Sequence, residues 1–199
     1  MKRIIGLIVV PVLIGTSYLS SQPSLIESTF TDTRDGKEYD IVKIGNQWWM
    51  AENLNYEISD GSWCYDDDPL ICNKFGRLYS WDAAVKACPA GWHLPSDEDW
   101  KILEKNFGVP NTKLDEIGWR SFEDEETSAN YPGFGMIMAG YRPYGDGAFD
   151  DINDDAYFWT STSYDKVDAW KRTFDDNRKE VGRGFDSKRK GFSVRCVKD

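Results

Sequence analysis

The chain has 199 residues, with 34 Asp and Glu against 24 Lys and Arg and a net charge of −10. A surface this acidic repels phosphate backbones, so no nucleic acid is expected as a partner. Nine Trp, ten Tyr and ten Phe supply enough apolar area for one core, and the length suits one domain better than two.

The first residues have the layout of a signal peptide over residues 1–22. Lys2 and Arg3 lead into an uncharged run from Ile4 to Ile14, followed by small and polar residues to Gln22. The apolar run is short against the roughly 20 residues of a membrane span, so none is expected after cleavage; an uncleaved anchor through Leu19 is the alternative. No cysteine follows it to carry a lipid. Losing Lys2 and Arg3 takes the charge to −12. Residues 23–29 read as a linker, with small or polar residues running on to about Thr33, and 30–199 as the domain.

Lys37 to Ile44 and Gln47 to Leu54 read as a hairpin around the two-residue turn Gly45-Asn46. Cys64 to Lys74 reads as an acidic loop, and Phe75 to Tyr79 as a short strand or the approach to the first helix. Trp81, Ala84 and Val85 share one face of a helix over Trp81 to Ala87, which Pro89 and Gly91 end. Ser96 caps a second helix over Asp97 to Asn106, with Asp99 completing a capping box and three acids at the positive end of the dipole. Asn111 to Pro132 reads as a surface loop. Strands are predicted over Phe134 to Tyr141, Tyr157 to Ser163, Ala169 to Phe174, Val181 to Phe185 and Gly191 to Val197. Helices early and strands late make the class α+β.

The four cysteines, Cys64, Cys72, Cys88 and Cys196, form an even set in a chain that reads as exported, so two disulfides are expected. Three pairings are open. Cys64 and Cys72 suit a local loop closure, leaving Cys88 to reach Cys196; the long link would stabilise by about 4 to 5 kcal/mol and the short one by about 2.5. Zinc is disfavoured, because no close Cys pair exists and the single histidine, His93, is isolated.

The strings TDTRDGKEYDIVKIGNQWWMAENLNY, CNKFGRLYSWDAAVKACPAGWHLPSDEDW, GFGMIMAGYR, AYFWTSTSY and GFSVRCVKD resemble the Fibrobacter succinogenes major paralogous domain from about Phe30 to Asp199. That family in turn resembles the C-type lectin-like fold. The likeness rests on Trp81, Ala84, Cys88, Gly91 and Leu94, and it implies Cys196 as the partner of Cys88. It also implies two helices around a twisted antiparallel sheet, terminal strands side by side and a long loop region. The calcium-placing tripeptides of sugar-binding lectins are missing. Leu94, Pro95, Ser96, Asp97 and Trp100 echo the formylglycine-generating enzymes of the same fold, whose paired late cysteines are absent here.

Calcium is possible at Asp146, Asp150, Asp151, Asn153, Asp154 and Asp155, where hard oxygen ligands sit on a glycine-containing loop, although the spacing is not that of a twelve-residue calcium loop. No other cofactor is implied. Trp48 and Trp49 point to opposite faces of a strand. With Trp63, Tyr65, Tyr141 and Tyr144 they are the candidate platform for a sugar ring, against the alternative that they pack the core. Arg142, Arg172, Arg183 and Arg195, on predicted strands, are expected to pair with carboxylates. No catalytic residue emerges: His93 has no nucleophile placed by motif, and a carboxylate pair could be picked at will from 34 acids. The expectation is a secreted, non-enzymatic recognition or adhesion module, sited in periplasm, cell surface or medium. It would present Asp60 to Lys74 and Asn111 to Asp155 to a glycan, such as plant polysaccharide, or to a surface protein. A structural cell-envelope protein is the second reading, and a formylglycine-type enzyme the third.

Overall fold

The computed structural model describes residues 28–122, 133–145, 147–175, 177–178 and 180–199. The expected signal peptide lies outside these residues. In chain order the elements are β1 (Ser28–Thr31), β2 (Glu38–Ile44), β3 (Gln47–Met50), β4 (Ser62–Trp63), α1 (Pro69–Phe75), β5 (Leu78–Tyr79), α2 (Trp81–Ala87), β6 (Trp92–His93) and α3 (Asp97–Asn106). They continue with β7 (Gly118–Ser121), β8 (Ala139–Tyr141), β9 (Asp150–Ile152), β10 (Asp155–Ser163), β11 (Asp168–Asp175), β12 (Glu180–Ser187), β13 (Phe192–Ser193) and β14 (Val197–Lys198).

Among the described residues the fold is α+β, with three α-helices and two sheets. One sheet is antiparallel in the order β1-β2-β3-β14-β6. Its hairpin turns at Gly45-Asn46, pairing Ile44 with Gln47, and Gly45 takes a positive φ that a two-residue hairpin turn favours. The second sheet runs β4-β5-β13-β10-β11-β12-β7 and is mixed, because β10 lies parallel to both β13 and β8. β8 pairs through Gly140 with Ala156, and β13 through Ser193 with Phe158. A bridge between Arg142 and Gly191 joins these two short strands. That bridge positions the cleft described below.

The core falls into two clusters. Tyr39 and Ile41 of β2 join Met50, Trp159, Phe192 and the small face of α2 in one; Val42 and Ile44 join Trp49, Phe158, Phe174 and α3 in the other. Alternate residues of one strand thus feed opposite clusters. Trp100, Leu103 and Phe107 recur at helical spacing and seat α3 on the second cluster.

Both disulfides form as expected, Cys64–Cys72 and Cys88–Cys196, the second closing 108 residues. α2 and α3 occupy the predicted residues, and Ser96 and Asp99 form the capping box. Several expectations are corrected. α2 buries Ala83, Ala84 and Ala87, while Val85 is exposed, because the helix packs closely through its small side chains. The segment read as linker contributes β1, whose Ser28 to Thr31 pair with β2. The loop from Cys64 to Lys74 contains α1, capped by the Asp68 side chain on the Leu70 N–H with Pro69 at the first helical position. The loop after α3 contains β7, paired with β12, and β8 is confined to Ala139–Tyr141 of the longer strand predicted there.

Candidate functional site

A buried ionic network fixes the frame. Asp97 and Glu104, on one side of α3, receive Arg172 of β11, Arg183 of β12 and Arg120 of β7. Arg172 and Arg183 therefore pair with carboxylates as expected. Arg120 Nη1 lies 2.7 Å from Glu104 Oε2 and also donates to the Leu114 carbonyl at 2.9 Å. Arg195 departs from the expectation. It is fully buried and donates to Asn53 Oδ1 and to the carbonyls of Met50, Phe134 and Gly135, pinning the 134–135 segment to the sheet. Burial pushes its pKa down to about 9, and the charge of Glu52 offsets this only in part.

The candidate site is an open cleft of about 460 Å3 lined by Asp60, Gly61, Trp63, Ser80, Asp82, Arg142, Tyr144, Gly145, Lys188 and Arg189. Four segments meet there. Trp63 enters on β4, beside β5 and one strand from β13. Arg142 follows β8 and exchanges two backbone hydrogen bonds with Gly191, 2.9 and 2.8 Å. Lys188 and Arg189 occupy the turn between β12 and β13, and the Lys188 carbonyl accepts from the Trp81 N–H, tying that turn to the start of α2. Ser80 caps α2, and its own N–H donates to the Gly61 carbonyl.

The two rings are held by cations. The Arg142 guanidinium lies 4.4 Å from the Trp63 ring centre, and that of Arg189 lies 3.7 Å from the Tyr144 ring. Such pairs are worth about 0.5–1 kcal/mol at exposed positions and, more usefully, fix the guanidinium plane. Tyr144 keeps 54% of its surface in solvent. Lys188 Nζ donates to Ser163 Oγ and the Asp165 carbonyl. The cleft thus offers ring carbon, guanidinium and ammonium donors, and two carboxylates as acceptors.

Of the six aromatic residues singled out from sequence, Trp63 and Tyr144 come together. Trp48 and Trp49 do face opposite ways, but Trp49 is fully buried, 5.1 Å from Trp100 and 5.7 Å from Phe134, and cannot present a ring face. Trp48 is half-buried against the first core cluster. Tyr65 is buried, 5.0 Å from Phe149. Tyr141 packs 5.0 Å from Tyr157. Arg142, expected to pair with a carboxylate, has the Trp63 ring instead.

Of the residues the sequence offered for calcium, Asp146 lies outside the described residues. Asp150 accepts from the Asp151 N–H, Asn153 and Asp154 are exposed, and Asp151 and Asp155 both contact the Tyr157 hydroxyl, at 2.7 and 2.8 Å. Among the described residues no three His, Cys, Asp or Glu side chains are placed to hold a metal ion.

A family model, the Fibrobacter succinogenes major domain, matches residues 42–198. The chain belongs to that family. Within this Fibrobacter succinogenes major domain the match takes in every cleft residue and both disulfides. No curated protein and no solved structure matches the chain. Among the described residues no helix is long and apolar enough to cross a membrane.

Proposed function

We propose that this domain is an exported, non-enzymatic recognition module of C-type lectin-like architecture that binds glycan in the cleft between Trp63 and Tyr144. The observation that carries the reading is their convergence. Two aromatic residues distant in sequence meet in one open, polar cleft beside two carboxylates and three cations. A sugar asks for this mixture, ring carbon for its C–H face and oriented polar groups for its hydroxyls. The lectin-like architecture is supported by the Cys88–Cys196 link from the end of α2 to the last strands and by β14 lying beside β3 of the N-terminal hairpin. Export is supported by two closed disulfides, which reducing compartments do not maintain.

The test is retention of the oxidised mature domain on insoluble cellulose, xylan and chitin, with and without Trp63→Ala and Tyr144→Ala. Retention that both substitutions weaken supports the cleft. Retention that neither substitution alters moves the binding surface elsewhere, and no retention on any polysaccharide favours the structural envelope role.

A further inference from the structure

Most arginines of this acidic protein have acid partners. Arg34, Arg77, Arg120, Arg172, Arg178 and Arg183 each lie within 4.0 Å of a carboxylate, and the buried Arg195 is saturated by carbonyls and an amide. Among the described residues, Arg142 and Arg189 have neither a carboxylate within 4.0 Å nor an acceptor for a side-chain N–H. Both line the same cleft, with Lys188 beside them. With 34 acids available, and Asp60 and Asp82 on the same cleft, two guanidiniums that no described carboxylate reaches within 4.0 Å are poorly explained by surface solubility, since each repels the other.

Their placement is also built. Each guanidinium rests on a ring, so its planar fork is oriented before any ligand arrives, the arrangement suited to a planar carboxylate. Gly147 leaves room beside Arg142, since a Cβ there would come within 3.3 Å of Nη2. We infer that the ligand of the cleft is anionic, a polysaccharide bearing uronic-acid carboxylates that Arg142 and Arg189 take while the rings of Trp63 and Tyr144 meet the sugar. The inference rests on the reading of the cleft as a glycan site and names its class. Bulk electrostatics works against it: a chain of net charge −10 repels a polyanion, so retention has to come from a local site.

The experiment is affinity electrophoresis at about 0.15 M ionic strength, the range in which long-range repulsion is largely screened. Matrices contain polygalacturonate, its fully methyl-esterified form with the same sugar skeleton, or neutral xylan. The expected result is that polygalacturonate retards the domain and that esterification weakens binding about tenfold or more, the scale of losing one charge-assisted pair. Arg142→Gln with Arg189→Gln removes the preference, whereas Arg142→Lys, keeping charge and losing the fork, removes part of it. Arg189 is exposed and Arg142 half-buried, and unchanged far-ultraviolet circular dichroism establishes that the variants fold. Equal binding to charged and esterified matrices, or a preference that survives the double substitution, overturns the anionic class and leaves the glycan reading standing. Absence of binding to all three matrices overturns both. A preference that inorganic phosphate or sulfate abolishes at low millimolar concentration, with no contribution from Trp63→Ala, marks a simple anion site and overturns the inference also.

Discussion

Arg183 grips the Asp97 carboxylate with two nitrogens, Nε 3.0 Å from Oδ1 and Nη2 2.7 Å from Oδ2, while Arg172 Nη1 takes Oδ1 from the neighbouring strand at 2.8 Å. Asp97 is the first residue of α3, so one buried side chain joins a helix to the two longest antiparallel pairings of the second sheet.

Asp97→Asn is expected to be among the most damaging single substitutions, at about 3–5 kcal/mol, because it leaves two buried guanidiniums short of charge. Burial pushes the Asp97 carboxyl up, but the hydrogen bond from Arg183 and the charge of Arg172 outweigh it and hold the group well below the usual carboxylate range. A pKa lowered in the folded state gives stability that is complete above the unfolded value of about 3.9 and is lost as pH falls below it toward the folded value. Urea denaturation at several pH values should therefore show the wild type losing stability below about pH 4 more steeply than Asp97→Asn. Parallel acid profiles would remove Asp97 from the account.

The two disulfides should differ in weight. Closing 108 residues, Cys88–Cys196 is expected to contribute about 4–5 kcal/mol and Cys64–Cys72, closing eight, about 2.5 kcal/mol, in the chain-entropy description. Double Ala variants of each pair, compared by thermal and denaturant unfolding, give the order directly. A larger loss from the short link would mean that Cys64–Cys72 holds α1 and the loop before it in ways the loop length does not capture.

Much of this frame is legible locally, since Ser96 with Asp99 and the spacing of Trp100, Leu103 and Phe107 set α3 from residues within one helix. α1 had a signal in Asp68-Pro69, a capping residue followed by the proline that suits a first turn, which the nearby cysteines and acids outweighed as loop material. The cleft is another matter. Trp63 and Tyr144 stand out as aromatic residues, but Lys188 and Arg189 carry no pattern, and the Arg142–Gly191 bridge that brings β8 to β13 is a long-range pairing no local periodicity encodes. From sequence Asp97 is one of three acids at the positive end of the helix dipole, and Glu104 carries no signal. Their burial as ion-pair partners follows only when the arginines of distant strands are set opposite them.

Asp155 should run against Asp97. A hydroxyl carries one hydrogen, so Tyr157 shares a single proton between its contacts with Asp151 and Asp155, at 2.7 and 2.8 Å. Burial raises the Asp155 pKa, the Tyr157 hydrogen bond lowers it in part, and Asp175, Asp151 and Asp154 add repulsion. A raised carboxyl pKa favours the fold fully below the unfolded value of about 3.9 and loses that contribution as pH rises through the folded value. Asp155→Asn is accordingly expected to stabilise the domain near neutrality, the gain vanishing in acid. A destabilised variant at pH 7 would show that the charge at Asp155 is used.

Gly191 offers the sharpest test of the cleft's construction. A Cβ there would sit 2.9 Å from Arg142 Cβ and 3.3 Å from Trp63 Cε3, both too near to accommodate without moving β8 or the Trp63 ring. At Gly184, on the open part of β12, the nearest neighbour would be Lys171 Cε at 4.0 Å. Gly191→Ala is therefore expected to cost about 1–3 kcal/mol as overpacking, while Gly184→Ala stays near neutral. The same Gly191 variant should bind polyuronate more weakly than its loss of stability explains, because the guanidinium and the ring shift together. Measuring both variants under conditions where each is folded separates the two effects. A Gly191→Ala protein that unfolds like Gly184→Ala and retains its ligand would mean that Trp63 and Arg142 are not held against each other in the way this packing requires.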